Sequence, residues 1–212
     1  MGWVASRLVG GIVATPAAAW IAVALALVSS VESPVAAQEK AQEKAQEKAA
    51  DKGSREVLLA EGKLVVMAPE AWVRKPPRSR IVEHEFSVPP VGGETVDGRF
   101  TVMGAGGGVE ANIERWMSQF SQPDGTTTKE KTKIQKMQVN GIEVHYVDIP
   151  GTFRDQAGPF APAQVRENFR LLGAIIVTEK AGMHFLKLTG PKATMAAQEE
   201  PFKQMVNSLK AK

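Results

Sequence analysis

Twenty-four consecutive residues without a charged side chain, residues 8–31, lie between Arg7 and Glu32 and divide this chain before any fold can be considered. A soluble core helix fits such a run poorly, because nothing polar would cover its other face. Its denser half, residues 17–28, has the length of a signal-peptide core, and Val35, Ala36 and Ala37 offer small residues for cleavage before Gln38. The run is also long enough to cross a bilayer as an uncleaved anchor. Pro16, the many alanines and the cleavage site favour removal. Residues 1–37 are therefore expected to be a signal peptide, or else a membrane anchor, with Arg7 left inside. Both readings export the remainder to the periplasm or cell envelope. If the run is retained, the chain is anchored in the inner membrane and faces outward, and this segment is its one membrane contact.

Ala37-Gln-Glu-Lys40 recurs from Ala41 and Ala45 and decays to Ala49-Ala-Asp-Lys52. A four-residue period of this composition has no apolar face to bury. Lys40 with Glu43 and Lys44 with Glu47 stand three apart, which supports a solvated helix by about 0.3 kcal/mol per pair. A helix this short is marginal alone. Residues 38–54 read as a flexible or partly helical linker closed by Gly53 and Ser54, and residues 55–212 as a single globular α+β domain.

The absence of cysteine removes disulfides, thiolate nucleophiles and Cys-ligated zinc together. A net charge of +3 carried by 26 basic and 23 acidic residues marks no nucleic-acid footprint, which needs basic side chains gathered on one surface.

From Arg55 onward the pattern is strand-rich. Residues 57–59 and 63–67 are short apolar runs around Glu61-Gly62, and residues 69–77 read as a turn plugged by Trp72. In residues 80–88, Val82, His84, Phe86 and Val88 share one face of an alternating strand, with Glu83 and Glu85 opposite. Residues 99–103 form another strand, ending in Gly104-Ala-Gly-Gly-Gly108. Val109, Ile113, Trp116 and Phe120 then fall on one helical stripe. Asn140-Gly141 is a two-residue hairpin turn that sets Val139 against Ile142 and Met137 against Val144. Residues 171–177 are apolar on both faces, as a central strand requires, and residues 183–188 pair with them. A last helix over residues 194–209 offers Ala197, Phe202, Met205, Val206 and Leu209 to the sheet.

This order predicts an α+β domain whose mostly antiparallel sheet of about six to seven strands is flanked by two helices. The stretch Gly106-Gly-Gly-Val-Glu-Ala-Asn-Ile-Glu-Arg-Trp116, with Gln119-Phe120, Gly158-Pro-Phe-Ala-Pro162 and Leu188-Thr-Gly-Pro191, resembles a group of uncharacterised exported bacterial proteins. The element order is similar to the PsbP-like fold. The resemblance implies an antiparallel sheet between helices, carries no known catalytic residues, and points by analogy to assembly factors or protein-binding modules.

No catalytic or metal-binding constellation emerges, and no cofactor is expected. The Gly-rich segment fails the dinucleotide pattern because Val109 occupies its sixth position, and Glu110 and Glu114 would repel an anion. A tight strand-to-helix crossing accounts for it. His84, His145 and His184 form no ligand spacing. His145 is expected to face water beside Lys136, and His84 to lie on an apolar face. Arg74, Lys75, Arg78 and Arg80 read as a solvated basic turn, and Lys129, Lys131, Lys133 and Lys136 as a polar strand edge. Residues 151–168 lack a period, and loops of that length are usually functional or disordered. Phe153, Phe160, Val165 and Phe169 anchor this one. Its candidate ligand residues are Arg154, Asp155, Arg166, Asn168 and Arg170, with Gly106 and Gly107 of the crossing beside them, arranged for a carboxylate or phosphate. Internal pairing such as Arg154 with Asp155 or Glu167 is the plainer account. The expectation is a non-enzymatic binding or assembly module whose partner is a protein or a small anion. Two alternatives remain: a hydrolase or lyase on His84 with nearby carboxylates, and a purely structural envelope protein.

Overall fold

The computed structural model describes residues 55–156, 161–179 and 182–212, so the apolar run and the repeat linker lie outside the described residues. The elements are β1 (Glu56–Leu59), β2 (Leu64–Met67), β3 (Val73–Lys75), β4 (His84–Val88), β5 (Gly98–Ala105), α1 (Val109–Met117), β6 (Phe120–Ser121), α2 (Thr128–Lys131), β7 (Lys133–Val139), β8 (Ile142–Asp155), β9 (Gln164–Thr178), β10 (Gly182–Pro191), α3 (Lys192–Asn207) and β11 (Lys210–Ala211). The fold is α+β, and every strand pairing among the described residues is antiparallel.

Where one sheet was expected, the strands divide into two. The larger has the order β3-β4-β5-β10-β9-β8-β6, with β7 also on β8, and the smaller is β1-β2-β11. The count exceeds the expected six to seven because β3, β6 and β11 have only two or three residues each, too few to show alternation.

The larger sheet is covered on both faces. One face meets α3 and the smaller sheet through Phe86, Phe100, Leu172, Leu186, Phe202 and Val206. The other meets α1 through Ile113, Trp116, Ile149, Leu171, Ile175 and Phe185. Residues 171–176 of β9 are therefore buried on both alternations. Gly173 lies directly under Trp116, where a Cβ would fall within the indole ring. That missing side chain lets α1 seat on the sheet.

The hairpin at Asn140-Gly141 pairs Val139 with Ile142 and Met137 with Val144. Both turn residues have positive φ, 49° and 80°, as a primed turn requires. Phe120 leaves the predicted helical stripe because α1 stops at Met117, and it pairs from β6 with Phe153 instead. The last helix starts at Lys192, and Ala197 is exposed, being off the stripe formed by Met195, Phe202 and Val206.

The largest departure concerns residues 151–168, expected as an aperiodic loop. They are mostly the ends of two long strands, β8 reaching Asp155 and β9 beginning at Gln164. The period is broken by a register shift between Gly151 and Phe153 and by positive φ at Gly151 (144°) and Asn168 (52°). A bulge moves every later side chain to the other face, so alternation read straight through it cancels.

Candidate functional site

Along β10, Leu186 and Leu188 face α3, so Phe185, Lys187 and Thr189 face the α1 side. Trp116 packs edge-on to Phe185 at 5.9 Å between ring centroids. Past Met117 the helix has ended, and the sheet face it leaves uncovered turns polar. Lys187 sits there beside Thr101 and Arg99 of β5, its neighbours across the ladder. Phe153 and Asp155 of β8, with Arg166 and Phe169 of β9, supply a wall, and Arg78 and Asp97 close the opposite side. The cavity they enclose holds about 240 Å³.

The charges in and around this cavity are not balanced alike. Glu85, 3% exposed, receives Arg99 through two bonds of 2.9 Å and Arg78 through a side-chain contact of 3.1 Å. Burial raises the Glu85 carboxyl, but the bonds from Arg99 and Arg78 outweigh that and hold it below the usual carboxylate range. Arg166 lies 3.8 Å from Asp155 and also donates to Gln164. Lys187 donates to the Gln119 Oε1 at 2.5 Å and stands 5.4 Å from the Phe153 ring centroid. Among the described residues no carboxylate is within 4 Å of its ammonium. Removal from water pushes the Lys187 amine down to about 8, and Arg99 adds repulsion that Asp155 only partly opposes. Among the described residues, Lys187 is thus a cation of this cavity with no carboxylate in ion-pair contact, Asp155 acting on it only at longer range.

The residues expected to form one site are spread over the sheet. Asp155 and Arg166 line the cavity. Arg154 is exposed on the alternate position, and Asn168 lines a separate depression with Gln122 and Lys192. Arg170 faces the other way, holding Asp148 at 2.7 and 2.8 Å and Glu199 of α3 at 2.7 Å. Its role is to clamp α3 to the sheet. Gly106 and Gly107 lie at the far end of β5, since Arg99 pairs with Thr189 whereas Ala105 pairs with Met183. That is about 20 Å from Arg99 along the strand. They are not beside residues 151–155 and 164–168, correcting that expectation. Asn112, 2% exposed, instead ties the crossing shut by donating to the Gly106 and Gly108 carbonyls at 3.3 and 2.8 Å.

The histidines have other partners. His84 Nε2 donates to the Leu58 carbonyl at 2.8 Å, and its Nδ1 accepts from Arg74 at 3.0 Å. Nε2 thus ties β1 to the larger sheet directly, and Nδ1 steadies Arg74, which itself reaches the Glu56 carbonyl of β1. His145 is partly buried, not open to water, and meets Glu143 at 2.7 Å, as Lys136 does. His184 is 5% exposed, and its Nδ1 has no hydrogen-bond partner among the described residues. Among the described residues no three of His, Asp and Glu are grouped to hold a metal ion. The basic turn at residues 74–80 is partly structural, because Arg74 caps the Glu56 carbonyl at 2.8 Å and lies 4.6 Å over the Phe86 ring.

Lys187, Arg99 and Glu85 are absent from the sequence-based candidates. Their one signal is alternation: Lys187 stands between Leu186 and Leu188 in a strand with buried neighbours on both sides, where a charge needs a reason.

No protein-family model matches this chain, and no curated protein matches it. Solved structures with a similar course include cyanobacterial PsbP (CyanoP) from Synechocystis, 8% identical, covering 76% of this chain and 94% of that one at a TM-score of 0.44. A protein of unknown function from Pseudomonas aeruginosa is 15% identical, covering 68% and 88% at 0.41. The Ran-binding protein Mog1p of Saccharomyces cerevisiae is 11% identical, covering 73% and 93% at 0.42.

Proposed function

We propose that this chain is an exported, envelope-located binding module, related to the exported PsbP-like proteins its sequence resembles, that holds a small anionic ligand on the α1 side of its larger sheet. The observation that carries this reading is Lys187. A partly buried ammonium with no carboxylate, among the described residues, in ion-pair contact costs free energy that a folded chain normally avoids. A bound carboxylate or phosphate supplies the missing charge. Arg99 and Arg166 lie in the same cavity to receive its remaining oxygens, and Phe153 and Phe169 offer ring faces to an apolar portion. The apolar run and linker of residues 1–54 support the export part of the reading. A hydrolase or lyase on His84 draws less support, because neither ring nitrogen is free to take a proton from a substrate.

Isothermal titration with inorganic phosphate and with benzoate, at pH 7 and low salt, tests the anion site. Saturable binding by the native protein, weakened at least tenfold in Lys187→Met, is expected. Equal binding by the two proteins, or none by either, refutes the assignment.

A further inference from the structure

We propose that Lys187 does more than pair with an anion, and that it captures short carboxylates bearing an adjacent aldehyde or ketone as a reversible imine. The inference rests on the anion-site reading and adds a covalent step to it.

Three features of the cavity support it together. First, Lys187 differs in its partners from four surface lysines. Lys131, Lys136, Lys203 and Lys212 each lie within 3.0 Å of a carboxylate, which holds the proton on nitrogen. Lys187 has an amide oxygen and a ring face. A neutral amine keeps one N–H to give Gln119 while its lone pair points elsewhere. Second, Arg99 and Arg166 share the cavity with that amine, so a carboxylate held by either guanidinium presents its neighbouring carbonyl carbon within the same small volume. About 240 Å³ suits a ligand of a few heavy atoms. Third, Phe153 and Phe169 place two nearly buried rings in the cavity wall, an apolar surface beside which a carbinolamine can lose water to become an imine. The lowered proton affinity of Lys187 agrees with this role: an amine near 8 is about one-tenth neutral at pH 7, against about three parts in ten thousand for an ordinary lysine.

The step balances without an oxidant or reductant. The amine lone pair forms a C–N bond to the carbonyl carbon, and the C=O π pair moves to oxygen, which takes a proton. The resulting hydroxyl leaves as water after a second protonation, nitrogen gives up its remaining protons to solvent, and C=N forms. Addition of water reverses each bond change.

The test treats the protein with glyoxylate and sodium cyanoborohydride at pH 7, which reduces any imine to a stable carboxymethyl-lysine, and maps the adducts by peptide mass spectrometry over time. Lys187 is expected to be labelled at least tenfold faster than Lys136 or Lys203, and excess inorganic phosphate is expected to slow Lys187 alone. Labelling of Lys187 no faster than the surface lysines overturns the covalent step. Calorimetry with phosphate and glyoxylate on the same preparation separates the two claims. If anions bind but Lys187 is not preferentially labelled, the imine is refuted and the anion site stands. If neither anion binds, both fail. Lys187→Arg, shown folded by circular dichroism, keeps a cation in place, and the fast-labelled peptide should disappear from its map.

Discussion

Replacing Lys187 by methionine should make the protein more stable at neutral pH, although it removes a hydrogen bond and a ring contact. Methionine has about the volume of the lysine stem and leaves no buried charge. Burial moves the Lys187 amine from its ordinary 10.5 down to about 8. At 1.36 kcal/mol per tenfold change in proton affinity, that corresponds to about 3 kcal/mol against the folded state while the group is charged. The bond to Gln119 and the contact with Phe153 return about 1 kcal/mol or somewhat more. The net gain for Lys187→Met is about 1–2 kcal/mol, or about 4 °C in Tm for a domain of this size. The sign with pH follows from proton uptake. Between pH 8 and 10.5 the unfolded chain binds more protons at this position than the native one, so native stability rises with pH through that window. Below 8 the penalty is fully present, and above 10.5 it is gone. Thermal unfolding followed by circular dichroism at pH 7 and at pH 10.5 measures it. The buffers must contain no phosphate or small carboxylate, since a bound anion would stabilise the native protein by mass action. The variant should melt higher at pH 7, and the gap should close or reverse at pH 10.5. A variant that melts lower at pH 7, or a gap indifferent to pH, would falsify the picture of an unpaired, desolvated ammonium.

Two further substitutions probe the supports of the cavity. Gly173→Ala places a methyl group within the Trp116 ring, so α1 must lift from the sheet. A loss of about 2 kcal/mol or more is expected in denaturant unfolding, with a change in near-ultraviolet circular dichroism, and an unaltered spectrum with native stability would contradict the close seating. Arg170→Met leaves Asp148, 9% exposed, as a nearly buried carboxylate without its guanidinium, at a cost of about 3 kcal/mol by urea unfolding at pH 7. Hydrogen bonds from Lys203 and Arg170 hold the Glu199 carboxyl down to about 2. Its contribution is therefore present above 4.5 and lost as pH falls through about 2, and acid unfolding of Arg170→Met should begin at higher pH than that of the native protein.

Some elements follow from local sequence and others do not. The Asn140-Gly141 hairpin is legible because its two residues accept the positive φ that a primed turn demands, and the turn then sets the register of everything it joins. The Ile113 and Trp116 stripe and the doubly apolar run at residues 171–176 are legible for the same kind of reason: burial enforces a period. The continuation of β8 to Asp155 and the start of β9 at Gln164 are not legible, because the shift at Gly151 and the left-handed Asn168 each interrupt that period. Nor is the third strand of the smaller sheet. It depends on Lys210 and Ala211 returning to Val65 and Leu64, a pairing made across most of the domain.

By itself, then, the sequence determined the class of fold, the central strand, the tight hairpin and the helix that seats over Gly173. Each depends on the spacing of neighbouring residues along one chain segment. Only the tertiary structure decided which charges meet. Arg170 went to Asp148 and Glu199, Arg99 and Arg78 to Glu85, and Lys187 to the Gln119 amide. A charge carries no mark of its partner in the sequence, because Coulomb attraction depends on distance in space, and strands far apart in the chain set that distance when they pair.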